Sequence, residues 1–185
     1  MPGMTDDESK QLLARICRLE ARQDLAGLLS RYCVATDDRD FNALAKLFTE
    51  NAEFGEVRGR DAIVRHFIKR TSSFGPSYHY IHDYHFDLHG EEQASGIVNG
   101  HAEMTVNGKA IWSAMRYQDR YERLADSWQF AARHVLFRYV LPFEEIATQY
   151  GDILRRWWPG VEPQKADLPE SLDSYWKYRR DKKPG

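Results

Sequence analysis

The stretch Tyr78-His79-Tyr80-Ile81-His82-Asp83-Tyr84-His85-Phe86-Asp87-Leu88-His89 holds four of the chain's seven histidines, and its local conformation decides the fold. As a helix it would gather residues 79, 82 and 85 on one stripe and suggest a metal centre. Its period is two instead: Tyr80, His82, Tyr84, Phe86 and Leu88 alternate with Ile81, Asp83, His85, Asp87 and His89. Preceded by the breaker run Phe74-Gly75-Pro76-Ser77, that alternation predicts a β-strand with one apolar and one polar face. Successive side chains on a strand point to opposite sides. His82 is therefore expected among Tyr and Phe on the buried face, with His85 and His89 beside Asp83 and Asp87 in water. No metal site is expected. His82 is then either a core histidine satisfied by a backbone group or a base.

The rest of the chain supplies the frame. Downstream, Ala94, Gly96, Val98, Gly100, Ala102, Met104 and Val106 form one face of a long strand, and its two glycines allow curvature or close approach by a ligand. Asn107-Gly108 is a type I′ hairpin signal. Strands from Lys109 to Glu122 and from Trp128 to Tyr139 follow it. Upstream, Leu12, Leu13, Ile16, Leu19, Leu25, Leu28, Leu29, Tyr32 and Cys33 recur at helical spacing, with a bend expected near residues 22–24. Short helices are expected at Phe41–Phe48, capped by Asp40, and at about Asp61–Lys69, with a short strand Asn51–Val57 between them. The fold class is α+β: N-terminal helices over a curved antiparallel sheet that encloses a hydrophobic pocket.

Residues 1–141 form this unit. Residues 142–185 extend the same domain, with a helix expected from Phe143 to about Trp157 and a short aromatic helix from Ser171 to Arg180. The basic run from Arg179 to Lys183 is expected as a solvated end. The extension serves either as a lid or as an oligomer contact.

Composition narrows the function. The 185 residues carry a net charge of −2, which gives no basic footprint for nucleic acid. No apolar run reaches membrane-spanning length, and the acidic N-terminus is unlike a signal peptide. Cys17 and Cys33 read as reduced core thiols, so a cytoplasmic location is expected. No CxxC, GxGxxG, Walker loop or GxSxG is present, and no cofactor is expected.

Asp37 and Asp38 stand at a helix C-terminus, where carboxylates are disfavoured. If the first helix crosses the mouth of the sheet, Asp37 can meet an inward His82. A carboxylate on one imidazole nitrogen fixes the tautomer and leaves the other nitrogen as a base. The alternatives are a structural Asp–His hydrogen bond and Asp38 facing inward in place of Asp37. Tyr32 lies just over one turn earlier on the same helix. Arg133 is expected inward beside Val135 and Phe137, a buried cation needing an anionic partner or a substrate oxygen, or else a salt bridge at the sheet edge. His66, His101 and His134 are expected as surface or structural residues.

The run Leu25-x-x-Leu28-Leu29-x-Arg31-Tyr32-x-x-Ala35-x-Asp37-x-x-Asp40-x-x-x-Leu44-x-x-Leu47-Phe48 resembles the opening of the SnoaL-like branch of the nuclear transport factor two-like superfamily. Gly59-Arg60-Asp61-Ala62-Ile63, the Ile81-His82 strand and Arg120-Tyr121-Glu122-Arg123 with Trp128-Gln129-Phe130 continue the likeness over residues 10–141. The resemblance implies a cone with a pocket. Through scytalone dehydratase, bile acid 7α-dehydratase and hexachlorocyclohexane dehydrochlorinase, it also implies an Asp–His pair at Asp37 and His82, with Tyr32 and Arg133 assisting. Arg138 would match a further arginine of the bile acid enzyme. Met104 stands where scytalone dehydratase has a second histidine.

The expected function is a cofactor-independent, dehydratase-type lyase acting on a bulky hydrophobic or aromatic small molecule. The pocket is expected to be lined by Phe54, Val98, Ala102, Met104, Met115, Tyr117, Phe137 and Arg138. Carbon–carbon lyase, isomerase or polyketide cyclase chemistry at the same site, and a non-catalytic scaffold, are the alternatives. A homo-oligomer is expected.

Overall fold

Thr5 opens the first helix with a capping box: its hydroxyl accepts from the Glu8 backbone N–H, and the Glu8 carboxylate accepts from the Thr5 N–H in return. The structure, a computed structural model, describes residues 4–179, so the basic run at 180–183 lies outside the described residues. Helix α1 runs from Asp6 to Asp37 as one continuous element, without the expected bend. At 1.5 Å per residue it is about 48 Å long, and only its C-terminal half packs into the core. Leu12, Leu13, Ile16 and Leu19 are consequently exposed, and burial begins at Ala21. Cys17 is exposed for the same reason, which corrects the expectation of two core thiols; Cys33 is buried.

Asp40 caps α2 (Phe41–Lys46) by accepting from the Ala43 N–H. Then come β1 (Phe48–Phe54), β2 (Val57–Arg58) and α3 (Arg60–Thr71). Four long strands follow: β3 (Phe74–Leu88), β4 (Gln93–Val106), β5 (Lys109–Leu124) and β6 (Ser127–Pro142). The β4–β5 turn has positive φ at both Asn107 (50°) and Gly108 (77°), as a type I′ turn requires.

The sheet order is β2-β1-β6-β5-β4-β3, with β3 to β6 an antiparallel meander. β1 joins β6 in parallel, the one departure from the expected antiparallel sheet. The concave face carries α1, α2 and α3, and Leu25, Leu28, Leu29, Phe48, Ile63 and Phe130 form a core between them.

Bulges set which side chains reach that face, and two of them fall on expected site residues. On β3, Ile81 pairs with Gly100 and Asp83 with Asn99, so His82 is an extra residue without a partner. On β6, Tyr139 pairs with Ala114 and Phe137 with Met115, so Arg138 is extra in the same way. A one-residue insertion reverses the inward phase. Before the β3 bulge, Ser77, His79 and Ile81 face inward; after it, Phe86 and Leu88 do. Gly100 marks the spot, because a Cβ there would lie 2.6 Å from the Tyr80 carbonyl oxygen.

The extension is less helical than expected. After a 3₁₀ turn (Phe143–Glu145), α4 covers only Ile146–Gln149, and α5 covers Asp173–Lys177. The chain between them is anchored by backbone hydrogen bonds from Val140 N to Arg155 O (2.8 Å) and from Trp157 N to Val140 O (2.7 Å). No described helix is long and apolar enough to cross a membrane.

Candidate active site

The end of α1 meets β3 at one carboxylate. Asp37 Oδ1 lies 2.6 Å from His79 Nδ1, and Asp37 Oδ2 accepts from the His79 backbone N–H at 2.8 Å. Both side chains are mostly withdrawn from water, at 17% exposure for His79 and 16% for Asp37. Asp38 is the helix C-cap and is exposed, so Asp37 is the inward acid.

His82 is not the partner. It is the bulged residue of β3 and lies exposed on the convex face, with Nε2 2.7 Å from Nδ1 of His101 and the two rings stacked. The residue that takes its expected place is three positions earlier. Four histidines at 79, 82, 85 and 89 are thus spread over two faces, and no group of three or more His, Cys, Asp or Glu side chains suited to a metal occurs among the described residues.

His79 borders a cavity of about 410 Å³. Of the expected lining, Phe54, Met104, Met115, Tyr117 and Phe137 are there, with Tyr32. Val98 and Ala102 are fully buried and do not border it. Ala102 stands in register between His79 and Ser113, and Val98 between Tyr84 and Tyr117, where the larger neighbours rise above them. Arg138 does not border it either. Being the bulged residue of β6, it turns away and donates from Nη2 to Asn99 Oδ1 at 3.0 Å, beside Arg116.

Arg133 faces inward as expected but stops short of the cavity. It makes a two-pronged ion pair with Asp119, Nε to Oδ1 at 2.9 Å and Nη2 to Oδ2 at 2.6 Å, with both side chains fully buried. Its Cζ lies 4.1–4.3 Å from the ring centroids of Phe130, Tyr117 and Tyr32. Tyr121 donates to the same carboxylate at 2.7 Å. Burial alone would lower the guanidinium pKa, but Asp119 more than offsets it and holds Arg133 charged. Arg133 therefore supports the cavity floor from beneath.

Burial raises the Tyr32 and Tyr117 phenol pKa values, only partly opposed by Arg133, so both stay protonated donors at neutral pH. Ser113 and Thr36 carry buried hydroxyl oxygens without a hydrogen-bond partner, and both residues border the cavity. Sequence reasoning missed these two, as it missed Arg70, Arg156 and Trp158, while His66 and His134, expected as surface or structural residues, also border the cavity. Burial, then the nearby Arg70 and Lys69, lower the His66 pKa and keep that imidazole neutral. Arg156 and Trp158 come from the C-terminal extension, which thus forms part of the cavity wall.

The SnoaL-like domain family matches residues 17–134. The chain belongs to that family. The SnoaL-like fold also recurs in solved structures. One is a scytalone dehydratase-like protein from Novosphingobium aromaticivorans (TM-score 0.66, 18% identity, 70% of this chain and 91% of that one). A second is a hexachlorocyclohexane dehydrochlorinase, LinA Type2 (TM-score 0.64, 19% identity, 80% and 99%). A third is the LinA-type3 enzyme of Novosphingobium barchaimii (TM-score 0.62, 21% identity, 70% and 94%). At these identities the likeness establishes the SnoaL-like cone. No curated protein matches the sequence.

Proposed function

We propose that this SnoaL-like protein is a cofactor-independent lyase that eliminates water or halide from a bulky, largely apolar small molecule, with His79 as the base. The Asp37–His79 contact at the wall of the cavity carries this reading. The bond to Asp37 fixes Nδ1 as the protonated nitrogen in the neutral ring, which leaves Nε2 with the lone pair. Nε2 removes a proton from carbon. The C–H electron pair forms the carbon–carbon double bond, and the leaving group departs with its own bonding pair. Asp37 stabilises the imidazolium that results. The Tyr32 phenol and the orphan hydroxyls of Ser113 and Thr36 supply protons or hydrogen bonds to the departing oxygen or to an enolate. The dehydratase and dehydrochlorinase descriptions of the structural neighbours fit an elimination.

The test uses two probes, a β-hydroxytetralone, which loses water to give naphthol, and hexachlorocyclohexane, which loses HCl. Turnover of either by the wild type, abolished in His79→Gln with unchanged circular dichroism, is the expected result. Full activity in His79→Gln would sink the mechanism.

A further inference from the structure

Arg70 closes the last turn of α3, and its side chain reaches the cavity, with Cζ 5.0 Å over the Trp158 ring. Among the described residues it has no hydrogen bond or ion pair with protein. Arg156, also at the cavity, spends Nη1 on Asp167 at 3.1 Å but leaves Nε buried without a partner. Against these two guanidinium groups the cavity presents a single carboxylate of its own, Glu56. The second nearby acid, Asp37, is already engaged by His79. Arg70 stays open to solvent at the cavity, and the surrounding protein and the neighbouring Arg156 lower its pKa, so the cavity holds two close cations with no carboxylate between them. The buried Arg156 Nε without an acceptor and the unpaired Arg70 beside it together favour an arriving anion, which would satisfy the orphan donor and take charge-assisted hydrogen bonds from both groups.

We propose that Arg70, backed by Arg156, is an anion-recognition subsite, and that the molecule bound in this cavity is a planar aromatic or polycyclic compound bearing one carboxylate. A carboxylate suits the site better than a phosphate. It is planar, can take two parallel N–H bonds from one guanidinium, and carries a single charge to match Arg70, which among the described residues makes no hydrogen bond or ion pair. The ring system would lie against the apolar wall made by Phe54, Met115 and Phe137. That this ligand is also the substrate rests on the lyase reading; that it binds does not.

The test is a matched pair of ligands, naphthoate and naphthamide, titrated by tryptophan fluorescence and calorimetry. Wild type is expected to prefer naphthoate by roughly tenfold or more, with the preference falling as salt rises, the scale of one charge-assisted hydrogen-bond pair. Arg70→Met, with the melting temperature measured alongside, is expected to lose the preference while still binding naphthamide. His79→Asn should retain it. Equal affinities in wild type, no naphthoate binding up to millimolar concentration, or an undiminished preference in Arg70→Met would each overturn the proposal. Turnover surviving in His79→Gln would overturn the lyase reading and leave the anion subsite standing.

Discussion

Asp37 grips His79 at two points, its backbone N–H through Oδ2 and its ring through Oδ1. One carboxylate thereby fixes both where the strand runs and which way the imidazole turns. The two roles can be separated. Asp37→Asn keeps an acceptor for the backbone N–H but offers an amide to the ring, so the preferred tautomer is lost. Turnover is expected to fall about 10²–10⁴-fold with little change in melting temperature. Proton-detected NMR of the His79 ring would show the altered tautomer, which a merely structural contact would not produce.

His82 and His79 are expected to behave oppositely. His82→Ala removes a ring exposed on the convex face and stacked on His101. Its effect on turnover should be within about twofold, and surface changes of this kind cost roughly 0.5 kcal/mol or less. A loss comparable to that of His79→Gln would show that the bulge does not separate the two histidines in solution.

Gly100→Ala tests the bulge directly. The new methyl would collide with the Tyr80 carbonyl oxygen at 2.6 Å, a backbone atom that cannot rotate away. The expected cost is about 1–3 kcal/mol, read in urea. Turnover should fall as well, because His79 is two residues from the displaced pairing.

The Asp119–Arg133 pair predicts an asymmetry. Asp119→Ala leaves an uncompensated buried cation and should destabilise by about 3–5 kcal/mol. The double change Asp119→Leu with Arg133→Met removes both charges and should recover most of that loss. Denaturation midpoints of the single and double variants decide it.

Cys33 gives a pH prediction. Burial pushes its thiol up to about 11, above the roughly 8.5 of an unfolded cysteine. A group raised in the folded state stabilises fully below its unfolded pKa, and that contribution disappears as pH rises through the folded value. The stability difference between wild type and Cys33→Ala should therefore be constant below about pH 8.5 and shrink toward pH 11. In the native protein at pH 8, a thiol reagent should modify Cys17 alone.

The strands, their turns and the helical order were legible because each obeys a simple period or carries a turn signal such as Asn107-Gly108. Asp37 was legible as an acid in a place where helices disfavour acids. Two of the misplaced site residues, His82 and Arg138, share one cause: each is the extra residue of a bulge. Alternation read backward from Phe86 and Leu88 is correct as far as Tyr84, then inverts. Gly100 was visible as a strand glycine, yet only the opposing strand shows that its missing Cβ makes room for Tyr80. Asp119 was hidden because Arg133 finds it across the β5–β6 ladder, 14 positions away. Arg70, Arg156 and Trp158 converge through the extension, whose irregular path has no periodicity to read.

The inserted residue in β3 also divides the strand's responsibilities. Upstream of it, odd-numbered positions answer to the chemistry within; downstream, even-numbered ones answer to packing. Lineages that delete or move this one residue would exchange the two sets wholesale while every neighbouring letter stayed the same. Comparing such sequences column by column would pair an inward histidine with a surface one, and the inward position would look variable when only its phase had slipped.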